Sequence, residues 1–553
     1  MTDSSVASVT GKALLARILK LEGVQLLSCF PETPLIDACA AEEIRPIVAR
    51  SERVVVNIAD GYSRATGRGG VGVCSVQHDA GIENAFAGVA QAYAESVPVL
   101  VLPGANERRR QSVPPFFDAV GTYGPVTKWS AQINAADRIP ELARRAFTLL
   151  RTGRPAPVLL ELPSDVAAEE VPGEVVYTPV AGHRSGPDSA DVEEAADLLL
   201  RAERPVVLAG RGVHLAEAED ELRRLAELLR APVLTTMNGK GSIPEDHPLA
   251  LGMSGLSTTG AVDHFLRRAT TVFAVGSSLT RWWMAAPIPA GCAVIQSTLD
   301  ERDLAKDYAI EHAVLGDAKL VLADLVAEVE RRTAGGERPA AADPTDEIRR
   351  VKESWLAEWL PLLTSDETPI NPYRVVWELM HTLDRRKSIV THDSGFPRDQ
   401  LAPFYETLTP LGYVGWGHST QLGYSLGLAI GMKLARPDLD VVNVMGDASF
   451  GMVGMDLETA VRCDVGTLTI VLDNSVMAGY EAYLPIATER YGAKKLGGDY
   501  AQVAAALGAY SECVRDPGEI RPAILRALEV ARSGRPVLLD VITREETRLS
   551  VYW

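Results

Sequence analysis

Short runs of apolar, mostly β-branched residues alternate along the chain with longer stretches in which apolar positions recur every three or four residues. VGVCSV, VPVLVLPG and APVLLELP form one set of runs; PVVLAG, TVFAVGS and AVIQSTLD a second; SIVTHDSG, VVNVMGD, TLTIVLDN and PVLLDVI a third. Apolar runs of this length, separated by amphipathic helical patterns, predict strands of parallel sheets covered by helices on both faces. The expected class is α/β, with three Rossmann-like or flavodoxin-like domains. PGEVVYTPVAGHRSGPDSAD and RRTAGGERPAAADPTDE, rich in Pro, Gly, Ala and charge, interrupt the alternation. They separate domains expected over residues 1–180, 190–335 and 365–553. Ligands of such sheets bind beyond the carboxyl ends of the strands, so the residues that follow the strands carry the functional question.

The length of 553 residues fits three or four domains of about 150 residues each. Lys and Arg number 55 against 73 Asp and Glu, a net charge of -18, the wrong sign for a protein whose partner is a polyphosphate backbone. The six cysteines lack the paired spacing of a zinc site or a disulfide framework and read as reduced thiols. Neither a long apolar span nor an export leader is recognisable. The expectation is a cytoplasmic protein that acts on a small molecule, with neither nucleic acid nor membrane as partner.

The third block holds the sharpest constellation. Strand VVNVM runs into Gly446, Asp447, Ala448 and Ser449, and 27 residues after Asp447 comes Asn474, behind the strand TLTIVL. Glycine permits close backbone approach, a helix starting near Ser449 offers free N–H groups, and Asp447 with Asn474 supplies hard oxygen ligands. Together these suit a diphosphate held through magnesium. Taken singly, Gly-Asp after a strand is an ordinary turn and Asp-Asn an ordinary cap; the joint spacing singles them out.

This pattern resembles the signature of thiamine diphosphate enzymes, Gly-Asp-Gly followed at this interval by Asn-Asn; here Ala448 and Asp473 stand at two of those places. The resemblance implies metal ligation by Asp447, Asn474 and the backbone carbonyl of Val476, with Met477 adjoining the cofactor. In the first block, Glu52 lies nine residues before Gly61, which opens Gly-Tyr-Ser-Arg-Ala-Thr-Gly, a stretch similar to the family's N-terminal motif. Glu52 is then the carboxyl that hydrogen-bonds the aminopyrimidine ring and drives its tautomerisation. Taken blind, it is a surface helix glutamate. Arg64 and Tyr62 are expected to be structural. In GHSTQLGYSLGLAIGMKLA the apolar prop beneath the cofactor falls on Leu422, which core packing would bury equally.

The likeness extends over nearly the whole chain and is greatest to the acetolactate synthase group. It implies the thiamine diphosphate-binding fold, an obligate homodimer whose sites take halves from two subunits, and a dimer of dimers. The reaction implied makes or cuts a carbon–carbon bond next to a carbonyl: a decarboxylase or carboligase for a small 2-oxo acid, a lyase or transferase by class. A 2-hydroxyacyl-CoA or oxalyl-CoA lyase, and a cofactor-binding homologue without catalysis, are the alternatives.

Several positions depart from that group. Phe30-Pro31-Glu32-Thr33-Pro34 replaces Tyr-Pro-Gly-Gly, and His78-Asp79-Ala80-Gly81 replaces Ser-Gly-Pro-Gly, in loops that border the substrate in this fold. His78 and Glu32 are therefore candidates for proton transfer or substrate binding, with loop packing the alternative. His392 and His418 are further candidates. In the central block, Ser277-Ser278-Leu279-Thr280-Arg281-Trp282-Trp283 stands where flavin-containing relatives carry Arg-Phe-Asp-Asp-Arg, so FAD is not expected. Arg211 and Arg281, with the Trp pair, could instead receive ADP or coenzyme A, or the cluster packs between domains. The tail, with Arg544 and Arg548, reads as a lid or a frayed end.

Overall fold

The alternation resolves, in a computed structural model that describes residues 8–31, 33–172, 176–337 and 339–553, into three parallel sheets. In the N-terminal sheet the strands run in the order Arg45–Val48, Leu26–Cys29, Gly72–Ser75, Val99–Val101, Val158–Pro163, and both Gly104–Ala105 and Trp129–Gln132 pair with the last of these. The central sheet follows the order Ala250–Ser254, Val233–Thr236, Pro205–Ala209, Thr271–Val275, Ala293–Thr298, His312–Leu315. The C-terminal sheet runs Tyr413–Val414, Ser388–His392, Asp440–Gly446, Leu468–Asp473, Val537–Ile542, Tyr510–Val514. All pairings in these three sheets are parallel, as apolar runs buried on both faces require. No helix among the described residues is long and apolar enough to cross a membrane.

Two helices lock the outer domains together. Glu52–Ala65 of the N-terminal domain crosses Tyr424–Ala435 of the C-terminal domain at glycines: a Cβ on Gly61 would stand 2.1 Å from the Leu428 carbonyl oxygen, and one on Gly431 2.0 Å from that of Ile58. Only glycine allows backbones this close, and the crossing buries Val54, Ile58, Leu426 and Ile430 in one apolar core. Beside it Arg64 ties three domains. Its guanidinium donates to Asp60 at 2.6 Å, to Asn238 of the central domain and the Gly415 carbonyl at 3.3 Å each, and to the Tyr424 hydroxyl at 3.1 Å.

The helix Thr345–Leu363 bridges the other two domains, with Ile348 in the central core and Trp355 and Trp359 in the C-terminal one. The C-terminal tail is not frayed: it straps this junction. Thr258 donates to the Ser550 carbonyl at 2.9 Å, Trp355 Nε1 donates to the Ser550 hydroxyl at 3.0 Å, Arg548 lies over the Trp359 ring at 4.4 Å, and Arg544 pairs with Glu367. Arg548 and Ser550 of the tail thus meet the buried tryptophans Trp359 and Trp355.

Candidate functional site

Parallel pairing sets Gly446 level with Leu472, so Asp447 and Asp473 leave their strands side by side at the carboxyl edge of the sheet. Asp447 is buried; one carboxylate oxygen accepts from Ala448 N at 2.8 Å, and the other, Oδ2, is buried and finds no donor among the described residues. Burial, reinforced by the adjacent Asp473, pushes the Asp447 carboxyl up to about 7. Beyond it the chain turns sharply, with Ser475 in the left-handed region at φ 55°, its N–H given to Asp473 at 2.9 Å and Val476 N given to the Asn474 amide oxygen at 3.1 Å. The turn is fixed from outside, because Met477 N donates to the Lys494 carbonyl and Gly479 N to Glu545, both at 2.8–2.9 Å. Beside Gly446 the space is free: a Cβ there would meet Pro397 at 3.6 Å and no other described atom within 4 Å.

These features fit a cation that bridges to a phosphate. A buried carboxylate oxygen without a donor needs a cation or a proton, and the Asn474 amide and a turn carbonyl are the neutral oxygens that magnesium accepts. Among the described residues no cluster of three or more His, Cys, Asp or Glu is arranged to hold a metal, so an ion here must draw on such neutral oxygens. Ala448 is half-buried and Ser449 fully buried.

Glu52 opens its helix, half-buried, where Asn84 donates to it at 3.4 Å and a Cβ on Gly81 would stand 3.7 Å from its other oxygen. The His78 loop thereby lies next to Glu52. It also borders the first-strand loop, since a Cβ on Gly104 would meet His78 N at 3.6 Å and the Thr33 methyl at 3.7 Å. Glu32 lies outside the described residues. His78 faces the Asp79 carboxylate at 3.9 Å, and Asp79, at φ 50°, accepts from Phe117 N and the Asn106 amide. A left-handed non-glycine residue held by two such bonds fixes the loop that carries His78.

Leu422 stands half-buried before Gly423, whose φ of 80° turns the chain into the helix Tyr424–Ala435. Asp393 holds this turn by accepting from Gly423 N at 3.0 Å and from the Ser425 hydroxyl at 2.6 Å. Among the described residues no hydrogen bond or ion pair joins Glu52 to Asp447, Asp473 or Asn474 within the chain.

Sequence reasoning missed Glu95. Its carboxylate is fully buried yet held well below the usual carboxylate range: against the cost of burial stand His418, Arg64 and donation from Gly417 N and His418 N at 2.9 and 2.7 Å. Nothing in the run AYAESVP distinguishes it from a helix-end glutamate. The bond to Glu95 raises the His418 pKa in turn. His418 lines a cavity of about 270 Å³ at the carboxyl ends of the central strands, together with Arg211, Asn238, Ser277 and Trp282. Burial, then Arg64, draws the Arg211 guanidinium down to about 10, and Trp282 Nε1 is buried without an acceptor.

Two candidates stand elsewhere. Arg281 is exposed and stacks at 4.7 Å on Tyr308, which lines the cavity, while its own backbone N–H is given to Asp307 at 2.8 Å. His392 is a core residue: burial pushes it down to about 3, and its ring stacks on Trp416 at 5.1 Å while accepting from Trp416 N at 3.3 Å. It has no open face from which to move a proton to a substrate.

Comparison with known proteins adds three domain matches. Residues 9–132 match the N-terminal TPP binding domain of thiamine pyrophosphate enzymes, 192–325 their central domain, and 393–541 their C-terminal TPP binding domain. A probable acetolactate synthase large subunit of Methanocaldococcus jannaschii is 31% identical over 96% of this chain and 91% of its own length. The acetolactate synthase isozyme 3 large subunit of Escherichia coli (strain K12) is 29% identical, over 96% of this chain and 94% of its own. A glyoxylate carboligase of Escherichia coli O157:H7 is 27% identical over 92% and 88%.

Proposed function

The chain belongs to the thiamine pyrophosphate enzymes, in the acetolactate synthase-like group, and on that premise we propose that it is a magnesium-dependent decarboxylase or carboligase for a small 2-oxo acid. The observation that carries this reading is the buried, donorless oxygen of Asp447 beside the open face of Gly446. Thiamine diphosphate, when bound, supplies a carbon nucleophile that reverses the polarity of a carbonyl. The residues do the rest. Asp447, Asn474 and the Val476 carbonyl would hold the cation; Gly446, Ala448, Ser449 and Met477 would flank the diphosphate; Leu422 would prop the rings; and Glu52 would hold and move a proton at its carboxyl beside the aminopyrimidine.

His78, fixed by the strained Asp79 next to Glu52, is well placed to hold a proton near the reacting carbonyl. Among the described residues Glu52 bonds within its own domain, to Asn84, and we assign the matching cradle to a second copy, giving an obligate homodimer and, by pairing of dimers, a homotetramer. Kept intact, Glu52 and the Asp447–Asn474 pair speak against a homologue without catalysis.

A second reading, a 2-hydroxyacyl-CoA or oxalyl-CoA lyase, draws support from the central cavity, where Arg211 and the unpartnered Trp282 indole would meet a nucleotide. Incubation with thiamine diphosphate and magnesium against a panel of 2-oxo acids and acyl-CoA thioesters separates the two. Turnover of a free 2-oxo acid is expected; turnover of thioesters alone would install the second reading, and inertness to every member would overturn both.

A further inference from the structure

The cradle holds more negative charge than its proposed task requires. Asp447 and Asp473 follow paired residues of adjacent parallel strands, and the Asp473 charge adds to burial in raising the Asp447 carboxyl. A third, Asp540, stands on the next strand, two residues before the partner of Asp473. All three are buried; among the described residues Asp447 Oδ2 and Asp540 Oδ1 have no donor, and no lysine or arginine pairs with any of the three. Tyr500, the aromatic neighbour of this group, offers no charge, and its hydroxyl faces the Gly497 carbonyl. Buried carboxylates persist only with a cation, a shared proton or several donors.

We propose that Asp473 makes the cradle a two-carboxylate cation site that takes up a divalent cation before any phosphate arrives. The proposal rests on the thiamine diphosphate reading of the cradle and extends it. With Asp447 alone beside the neutral Asn474 amide and a carbonyl, a divalent ion keeps one net positive charge and depends on the diphosphate to complete its neutralisation. Asp473 removes that dependence, since two carboxylates balance the ion by themselves. One Asp473 oxygen is committed to the turn, where it accepts from Ser475 N at 2.9 Å and the Ser475 hydroxyl at 3.0 Å. The carboxylate's charge remains beside Asp447 even so. Loading would then be ordered: cation first, cofactor second.

The experiment titrates Mn²⁺ into protein stripped of metal and cofactor and follows the free-ion paramagnetic resonance signal, for wild type, Asp473→Asn and Asp447→Asn. Asn keeps the oxygen that caps the Ser475 turn and removes only the charge. Expected are binding by wild type without cofactor, at least tenfold weaker binding by both variants, and a metal-free melting temperature for Asp473→Asn no lower than that of wild type, because repulsion is relieved. Wild-type affinity in Asp473→Asn alongside a loss in Asp447→Asn would reduce Asp473 to a turn cap and leave the cradle standing. Unchanged affinity in both variants would remove the cradle itself. Wild type that binds Mn²⁺ only after thiamine diphosphate is added would overturn the ordered loading.

Discussion

Replacing Arg64 by Met tests whether one buried guanidinium holds three domains in register. Arg64 and Asp60 form a buried pair at 2.6 Å, with the Asp60 side chain wholly excluded from solvent. Removing one member of such a pair leaves an uncompensated buried charge and costs about 3–5 kcal/mol. Here the loss also strips a donor from the Gly415 carbonyl, the Tyr424 hydroxyl and Asn238, which places the expected cost at the upper end. At roughly 2–4 °C per kcal/mol for a domain of this size, the melting temperature should fall on the order of 10 °C or more. Differential scanning calorimetry on the metal-free protein gives the number. The double variant Asp60→Asn, Arg64→Met buries no unpaired charge and should recover part of the loss. A shift within about 2 °C in the single variant, or simple additivity in the double, would refute the reasoning.

Further outcomes follow from the same geometry. Asp447→Ala or Asn474→Ala should weaken thiamine diphosphate binding in calorimetry, with excess magnesium restoring only part; unchanged affinity in both would contradict the assigned ligands. Purified protein should be colourless, since Ser277 to Trp283 lacks the arginine-rich pattern of flavin-containing relatives; flavin absorption near ~450 nm would show that the central cavity takes FAD. His78→Ala should change the ratio of protonated to ligated product, read by mass spectrometry, more than it changes cofactor affinity; an unaltered ratio and rate would make the loop scaffolding. Gly431→Ala should destabilise the chain by about 1–3 kcal/mol or more, because its methyl meets the Ile58 carbonyl at 2.0 Å, and unchanged urea unfolding would refute the tight crossing.

What the sequence disclosed, and what it hid, divides along physical lines. The cradle was legible because parallel strands convert a fixed spacing into adjacency: once VVNVM and TLTIVL pair, Asp447 and Asp473 must meet. Glu52 was legible only through its place nine residues before Gly61, in a stretch resembling the family's motif, and the structure sets it at the opening of the helix Glu52–Ala65. Histidines were not, since a lone His after a strand carries no sign of depth. His392 is walled by Trp416 and Tyr413, whereas His418 opens on a cavity, and the difference lies in residues distant in the chain. Glu95 escaped for the same reason, as its donors arrive from Gly417 and His418 in another domain. Arg281 carried no sign of its neighbours in the sequence, since its ring partner Tyr308 and the acceptor of its N–H, Asp307, both come from a later loop. The tail's composition announced a contact without naming its surface: Arg548 lies over Trp359, and Ser550 accepts from Trp355.

The central claim is that Glu52 moves a proton on bound thiamine diphosphate. Hydrogen–deuterium exchange at the thiazolium C2 position, followed by quenched-flow NMR on the holoenzyme, measures this without knowledge of the substrate. Exchange should be far faster on the wild-type protein than in free cofactor, and Glu52→Gln should slow it by roughly 100-fold or more while the cofactor stays bound. Exchange no faster than in free cofactor, or a Gln variant that exchanges at the wild-type rate, would contradict the account.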